Sequence, residues 1–361
     1  MLNCMAAYRK HPEDDASMAM DTSAFKIVYV APMKALVIDS AQSPPVYKDV
    51  ADPTPEPGEV VVRLKAAALN HRDVFITQGL YPGIELPAVL GSDGCGVVES
   101  GDPKWKGKAV VIDPGDGWGD DEAAQGPEYN ILGMPRAGTF AEKVAVPVRC
   151  LHERPAHLSD AAAAALPLAH VTAWRVMMTR AALKPGDKVL VTGIGGGVAL
   201  AALQLAKAHG AKVWVTSSKQ DKIDAAVKMG AEGGFLYTAE RWGRTVRKSV
   251  GDGGVDVVID GAGGDGFEEC VDAIAPGGRI GVYGATCGRW PKLLPPRLFF
   301  KQASILTSTM GSPREFAAMV AFVKQHRIEP VVDRTFPLAQ GTEALTYLDS
   351  GAQQGKVVLT C

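Results

Sequence analysis

An α/β fold is predicted for this chain: a doubly wound parallel sheet joined to a smaller β-barrel-like unit. Three observations predict it. Apolar strand-like runs at residues 188–192, 211–216, 255–260, 277–284 and 303–308 alternate with helix-like stretches, the pattern of a parallel sheet covered on both faces. The first of these runs leads at once into the cluster Gly193-Ile194-Gly195-Gly196-Gly197, and then into an alanine-rich helical run over 198–209. Short strand-like runs separated by turn residues fill the stretch from Met33 to Val146.

Taken in order, residues 1–32 mix small polar, charged and Met residues without a sustained period and read as a flexible N-terminal tail. A weak organellar signal there is left open, although transit peptides avoid acids such as Glu13, Asp14, Asp15 and Asp21. Strands are expected over 34–38, over 59–66 after the turn-prone stretch 53–58, and over 94–99, 108–112 and 139–146. This barrel-like unit closes near His157. The alternating region follows, with a helix over 267–274. A helix over 313–325 and short strands at 331–332 and 356–359 come last, and these are expected to rejoin the first unit. Residues 33–157 and 310–361 then form one catalytic domain, with a nucleotide-binding domain over 158–309 inserted in it.

Composition narrows the function. The 361 residues are 47% hydrophobic and 22% charged, enough apolar content for a packed core. A net charge of -2 gives no bulk reason to bind nucleic acid or an anionic membrane, and no apolar run approaches the ~20 residues of a membrane span. The six cysteines are dispersed and none forms a C-x-x-C pair, which argues against a structural zinc module and a disulfide framework. A reducing, cytoplasmic setting is expected.

The strand–glycine cluster–helix–strand layout over 188–216 suits a dinucleotide. Glycines let the backbone turn tightly and approach a pyrophosphate, whose charge sits against free N–H groups at the helix N-terminus. Val198 occupies the third glycine position of G-x-G-x-x-G, so the surrounding layout carries the signal.

Several segments together resemble the medium-chain dehydrogenase/reductase superfamily: Asn70-His71-Arg72-Asp73, Gly79-Leu80-Tyr81-Pro82-Gly83, the glycine-rich run 91–98, Gly138-Thr139-Phe140-Ala141-Glu142, the run 183–191, and Pro276-Gly277-Gly278-Arg279. The resemblance covers residues 33–359 and is nearest the zinc-independent, quinone-oxidoreductase-like branch. It implies a GroES-like β-barrel catalytic domain with an inserted Rossmann domain and an active site in the cleft between them. Zinc alcohol dehydrogenases of this family place cysteine, histidine and cysteine where Asn70, Ser92 and Ala169 stand. Residues 113–135 contain no cysteine for a structural zinc lobe. No metal is expected, although His71 and His170 each sit one position from a lost ligand.

The resemblance also implies a cofactor set. Gly195, Gly196, Gly197 and Val198 are expected at the pyrophosphate. Asp260, Gly261, Tyr283, Gly284, Thr286, Ser308 and Thr309, at strand ends, are expected near ribose and nicotinamide, together with Thr172. The acid that selects NAD would stand at Ser217. Ser217, Ser218, Lys222 and Tyr237 suit a 2′-phosphate instead, so NADPH is preferred over NADH. The alternative reading of Lys219 and Lys222 is an ordinary solvated helix start.

Without a metal, hydride transfer needs positioning and a polarising donor. Asn70, Tyr81 and His71 are the candidate catalytic residues, and Tyr81 could equally be a packed barrel tyrosine. Arg72 and Asp73 are expected to form a salt bridge. Trp118, Tyr129 and Met134 are expected to shape the substrate mouth. The leading function is NADPH-dependent reduction of quinones or α,β-unsaturated carbonyls. A zinc-free carbonyl or alcohol oxidoreductase and a cofactor-binding interaction protein with little turnover stay open. A small-molecule substrate is expected, with no nucleic acid or membrane partner. The run 304–308 is expected to pair across a homodimer.

Overall fold

The computed structural model describes residues 32–361, other than residues 41, 252, 291 and 292. The tail and organellar-signal expectations for residues 1–31 lie outside the described residues. One sheet has six parallel strands in the order Gly233–Leu236, Lys212–Ser217, Lys188–Val191, Val255–Asp260, Ile274–Val282 and Ser304–Thr307. The period-two alternation of a strand explains why these runs are apolar throughout. Val189 and Val191 pack with Leu200 and Leu203 of the helix Gly197–Ala208, whereas Leu190 joins Trp242, Val246 and Phe267 on the opposite face. Strand order runs outward in both directions from Lys188–Val191. Its carboxyl end is therefore the topological switch point, where an open α/β sheet leaves a crevice, and the glycine cluster begins there.

A second, seven-stranded sheet is centred on Glu59–Ala68, which pairs with Asp93–Ser100, Lys143–Pro147 and the C-terminal strand Lys356–Thr360. Val332–Pro337 lies parallel to Lys356–Thr360 at one end of it. A three-stranded sheet of Val46–Val50, Met33–Ile38 and Ala88–Val89 joins through a bridge from Ala35 to Ala141. Among the described residues no helix is long and apolar enough to cross a membrane.

Most boundaries fall within a few residues of those expected, and the exceptions have local causes. The strand expected over 139–146 begins only at Lys143, because the N–H groups of Gly138, Thr139 and Phe140 donate to Val89, Gly91 and Leu90 in a separate crossing. Helical segments that sequence reading did not separate include His71–Thr77, the run Asp160–Ala164 with Pro167–Trp174, Trp242–Val250, and Gly341–Asp349. Pro167 starts its helix at a first-turn position, where a missing N–H costs nothing. That helix continues as a π-helix over Arg175–Arg180.

The π-helix positions a buried cation. Arg175 Nη1 lies 2.7 Å from Glu315 Oε2, with side chains 3% and 8% exposed. Its Nη2 donates to the carbonyls of Glu122 and Ala123 at 3.0 and 2.8 Å, and its guanidinium lies 4.7 Å from the Trp118 ring centre. Glu315 also accepts from the N–H of Ser312, at the start of the helix Pro313–His326, and from Thr179. One ion pair thus ties the 116–131 lobe, the π-helix and a helix N-terminus together. We expect Arg175→Met to destabilise the fold by about 3–5 kcal/mol, because it leaves the Glu315 carboxylate buried without its cation. Urea unfolding would read the loss. Limited proteolysis should then cut first within 116–131, and an unchanged midpoint and cleavage pattern would refute the assignment.

Candidate active site

A cavity of about 850 Å³ opens at the carboxyl end of Lys188–Val191, between the two large sheets. Its floor is the glycine cluster. Gly193 and Gly195 have φ of +63° and +135°, conformations that side chains resist. Cβ atoms on Gly193 or Gly196 would meet nothing within 4 Å, so the loop borders open space. Gly196 caps the helix Gly197–Ala208 without a side-chain hydrogen bond. The N–H groups of Gly197, Val198 and Ala199 have no partner among the described residues, as a helix start leaves them. Thr172, in the cavity wall, holds a buried hydroxyl oxygen with no hydrogen-bond partner.

Every sequence-selected position except Ser308 lines this one cavity. Asn70, His71 and Tyr81 come from the seven-stranded side. Gly195, Gly196, Gly197 and Val198 form the floor, with Thr172 in the wall beside it, while Ser217, Ser218, Lys222 and Tyr237 form one end. Asp260, Gly261, Tyr283, Gly284, Thr286 and Thr309 complete the wall. Ser308 is outside it: its N–H bonds the carbonyl of Val282 and its hydroxyl is buried without a partner. Asp260 acts as a brace, accepting from Thr192 Oγ1 at 2.6 Å and from the Gly263 N–H at 3.0 Å. The Tyr283 ring packs on Gly261, where a Cβ would come within 2.3 Å of it.

At the Ser217 end, Lys222 arches over the glycine loop. Its ammonium donates to the carbonyl of Gln353 at 2.8 Å and would lie 3.1 Å from a Cβ on Gly195. Burial and then the Lys219 charge hold its pKa below the usual lysine value.

At the opposite end sequence reading missed the central group. Lys356 was read only as the start of a strand, yet it is 5% exposed. Its ammonium donates to Asn70 Oδ1 at 2.6 Å and to Asp93 Oδ2 at 2.9 Å. Asn70 Nδ2 donates to the same Asp93 oxygen at 2.9 Å, and the Leu168 N–H donates to the other at 2.8 Å. Asp93 is therefore fully buried and fully paired, the condition under which a buried charge persists. The lysine stem lies over Gly197, where a Cβ would approach it to 2.8 Å. A lysine opening an otherwise apolar strand was the only signal for it in the sequence.

The expected Arg72–Asp73 salt bridge does not form. Asp73 Oδ2 instead accepts the backbone N–H of Asn70 at 2.8 Å, and burial raises its carboxyl to about 6. Arg72 turns the other way. Its Nη1 donates to Ser92 Oγ at 2.6 Å and to the Leu132 carbonyl at 3.0 Å, and its Nε reaches the Tyr81 hydroxyl at 3.4 Å. His71, the next residue back, is exposed. His170 bonds the Leu166 carbonyl at 3.0 Å, and burial lowers its pKa to about 4. Among the described residues no group of three or more His, Cys, Asp or Glu could hold a metal ion. Trp118 and Met134 are buried, while Tyr129 and Met134 line a second cavity of about 450 Å³ beside Arg72 and Tyr81.

The chain has clear relatives. Residues 56–156 match the alcohol dehydrogenase GroES-like domain, and residues 197–325 match the zinc-binding dehydrogenase family. The zinc-type alcohol dehydrogenase-like protein YogA of Leptosphaeria maculans is 35% identical, over 86% of this chain and 92% of that protein. An acryloyl-coenzyme A reductase of Metallosphaera sedula is 29% identical, over 91% of this chain and all of that protein. A crystal structure of an NAD-dependent alcohol dehydrogenase superposes with a TM-score of 0.87 at 39% identity, over 91% of this chain and 100% of that one. A nicotinamide dinucleotide fits the free helix N-terminus, the open glycine floor and the unpartnered Thr172 hydroxyl.

We expect Lys356→Met to cost about 3–5 kcal/mol of stability, because the Asp93 carboxylate is left buried without its cation. Adding Asp93→Asn should recover much of the loss, since the variant pair buries no charge. Urea unfolding of the single and double variants measures this. A double variant no more stable than Lys356→Met would remove the ion pair from the explanation.

Proposed function

Because the chain belongs to the medium-chain dehydrogenase/reductase superfamily, we propose that this oxidoreductase reduces quinones or α,β-unsaturated carbonyl compounds with NADPH and without zinc. One observation carries the reading: the groups at the three metal-ligand positions are otherwise engaged. Asn70 is held by Asp93 and Lys356, Ser92 accepts from Arg72, and Ala169 offers only a methyl group. This donor set does not fit zinc, which takes thiolate, imidazole or carboxylate. With no metal to stabilise an alkoxide, substrates whose carbon is already electrophilic are favoured. The likeness to an acryloyl-coenzyme A reductase supports an activated alkene.

When bound, the reduced nicotinamide would supply hydride, and the chain's own residues would position both partners. The free N–H groups of Gly197, Val198 and Ala199 would receive the pyrophosphate, and Thr172 would donate or accept at its orphaned hydroxyl. Ser217, Ser218, Lys222 and Tyr237 would hold a 2′-phosphate, with Lys219 adding positive potential. Asn70 and Tyr81 would flank the substrate, and His71 would face the cofactor side. Residues 33–157 and 310–361 would act as the catalytic domain around the nucleotide-binding domain 158–309. The dispersed free thiols favour a cytoplasmic place of action. A second reading, carbonyl or alcohol oxidoreduction without zinc, is favoured by the 39%-identical alcohol dehydrogenase structure.

Purified protein should oxidise NADPH with an enone or a quinone, hold no stoichiometric zinc by elemental analysis, and keep its activity in a chelator. Lys222→Ala should weaken NADPH by about one to two decades, the worth of a charge-assisted contact, and leave NADH nearly unchanged. Ser217→Asp should reverse the preference. About one tight zinc per chain with chelator-sensitive alcohol oxidation would defeat the reading, as would equal losses for both cofactors.

The edge strand Ser304–Thr307 carries exposed and half-buried residues, and Phe299 and Phe300 just before it are 57% and 81% exposed. An open edge beside apolar surface invites pairing across a two-fold axis, so a homodimer is expected by sedimentation at micromolar concentration. Ile305→Lys should shift it to monomer. A wild-type monomer under those conditions would reject the proposal.

A further inference from the structure

We propose that Arg72 is a catalytic residue whose guanidinium receives the negative charge that develops on the substrate's carbonyl oxygen. This rests on the reading of the protein as a reductase of activated alkenes. Three cations are buried among the described residues: Arg72, Arg175 and Lys356. Arg175 is paired with Glu315 and Lys356 with Asp93. Arg72 alone has no ion-pair partner among the described residues, although it is only 8% exposed. Its bonds all go to neutral oxygens, on Ser92, Leu132 and Tyr81. Asp73, its sequence neighbour, bonds the Asn70 N–H instead.

A buried cation without a counter-ion is costly, and such groups are kept where an anion arrives or forms. The position suits that role. Arg72 lines both the large cavity and the second one beside Tyr129, and its Nη2 has no hydrogen-bond partner among the described residues. Two of the other polar groups at this end are committed: the Asn70 amide to Asp93, and the Lys356 ammonium to Asn70 and Asp93. The Tyr81 hydroxyl accepts from Arg72 Nε, which leaves its own proton free to donate alongside the guanidinium. The ring is also stacked beside the cation, 4.9 Å from ring centre to guanidinium carbon.

A bound reduced nicotinamide would supply the hydride, which would form a C–H bond at the β-carbon. The alkene electron pair moves to the bond between the α-carbon and the carbonyl carbon, and the carbonyl π pair goes to oxygen. The enolate oxygen so formed takes its charge against Arg72 Nη2 and Tyr81. A water molecule would then protonate the α-carbon and leave as hydroxide, the carbonyl would re-form, and the alkene would have gained the two electrons lost by the nicotinamide together with one proton. The serine-bound guanidinium thus stands beside one of the positions where zinc relatives carry a ligand, and provides a fixed positive charge there.

Arg72→Gln and Arg72→Lys test the proposal with two readouts. In steady-state reduction of 3-penten-2-one, Arg72→Gln should lower kcat by ~10²–10³, the scale of one lost preorganised donor, with NADPH affinity within about twofold of wild type. In calorimetric titration without cofactor, butyrate, whose carboxylate mimics the enolate oxygen, should bind wild type about 10–100 times more tightly than Arg72→Gln. Arg72→Lys should recover part of both. Equal butyrate affinity in wild type and Arg72→Gln would overturn the proposal, as would a change confined to KM or an equal loss of NADPH binding. If wild type reduces no activated alkene, the functional reading fails, and butyrate binding alone then decides whether Arg72 is an anion site.

Discussion

The buried contact of Lys356 with Asp93 and Asn70 is the constraint on which the site depends. It joins the C-terminal strand, the central strand pair of the seven-stranded sheet and the residue that starts the helix His71–Thr77. The same stretch of chain also meets the glycine loop, since the Gly355 N–H donates to the Gly195 carbonyl at 2.9 Å and the lysine stem covers Gly197. Chain segments nearly 290 residues apart in sequence are thereby fixed around one carboxylate. A charge this deeply buried tolerates little displacement, because any shift leaves Asp93 or Lys356 without compensation. The floor and the substrate end of the cavity are therefore positioned together.

The fold was legible where local chemistry and long-range packing agree. The run 188–216 has alternating faces that both need cover, a cluster of glycines at the turn and an alanine-rich helix, and each signal points to the same unit. The structure places these elements within about a residue of the expected limits. Site residues read from that unit converge on one cavity for the same reason: strand ends and helix starts of a parallel sheet meet at one edge. Ser308 departs from the pattern, because the last strand ends at Thr307 and the chain reaches the wall only with Thr309 and Met310.

The charged residues were the least legible. Arg72 and Asp73 are adjacent in sequence and opposite in sign, yet successive positions on a helix do not face each other. Asp73 folds back onto its own helix start, while Arg72 reaches across to Ser92 and Leu132, 20 and 60 residues away. Lys356 looked like an ordinary polar strand end until tertiary structure buried it. In both cases the partner that decides the role is distant in sequence, so neither spacing nor composition could reveal it.

A single line of contacts relates the lobe to the charge at the site. Arg175 holds the Glu122 and Ala123 carbonyls, and its guanidinium lies on Trp118, which meets Tyr129 edge-on at 5.1 Å. Two residues further, Ile131 enters the cavity wall and the Leu132 carbonyl accepts from Arg72. The lobe therefore both lines the second cavity and leads into one of the neutral acceptors that orient the Arg72 guanidinium. Neutral acceptors matter here. A carboxylate in place of the Leu132 carbonyl would satisfy Arg72 and quench its field, whereas a carbonyl fixes its direction and leaves the charge available to a ligand. Arg175 secures the lobe with its own carboxylate partner, and Arg72 is left without a salt bridge among the described residues where the two cavities meet.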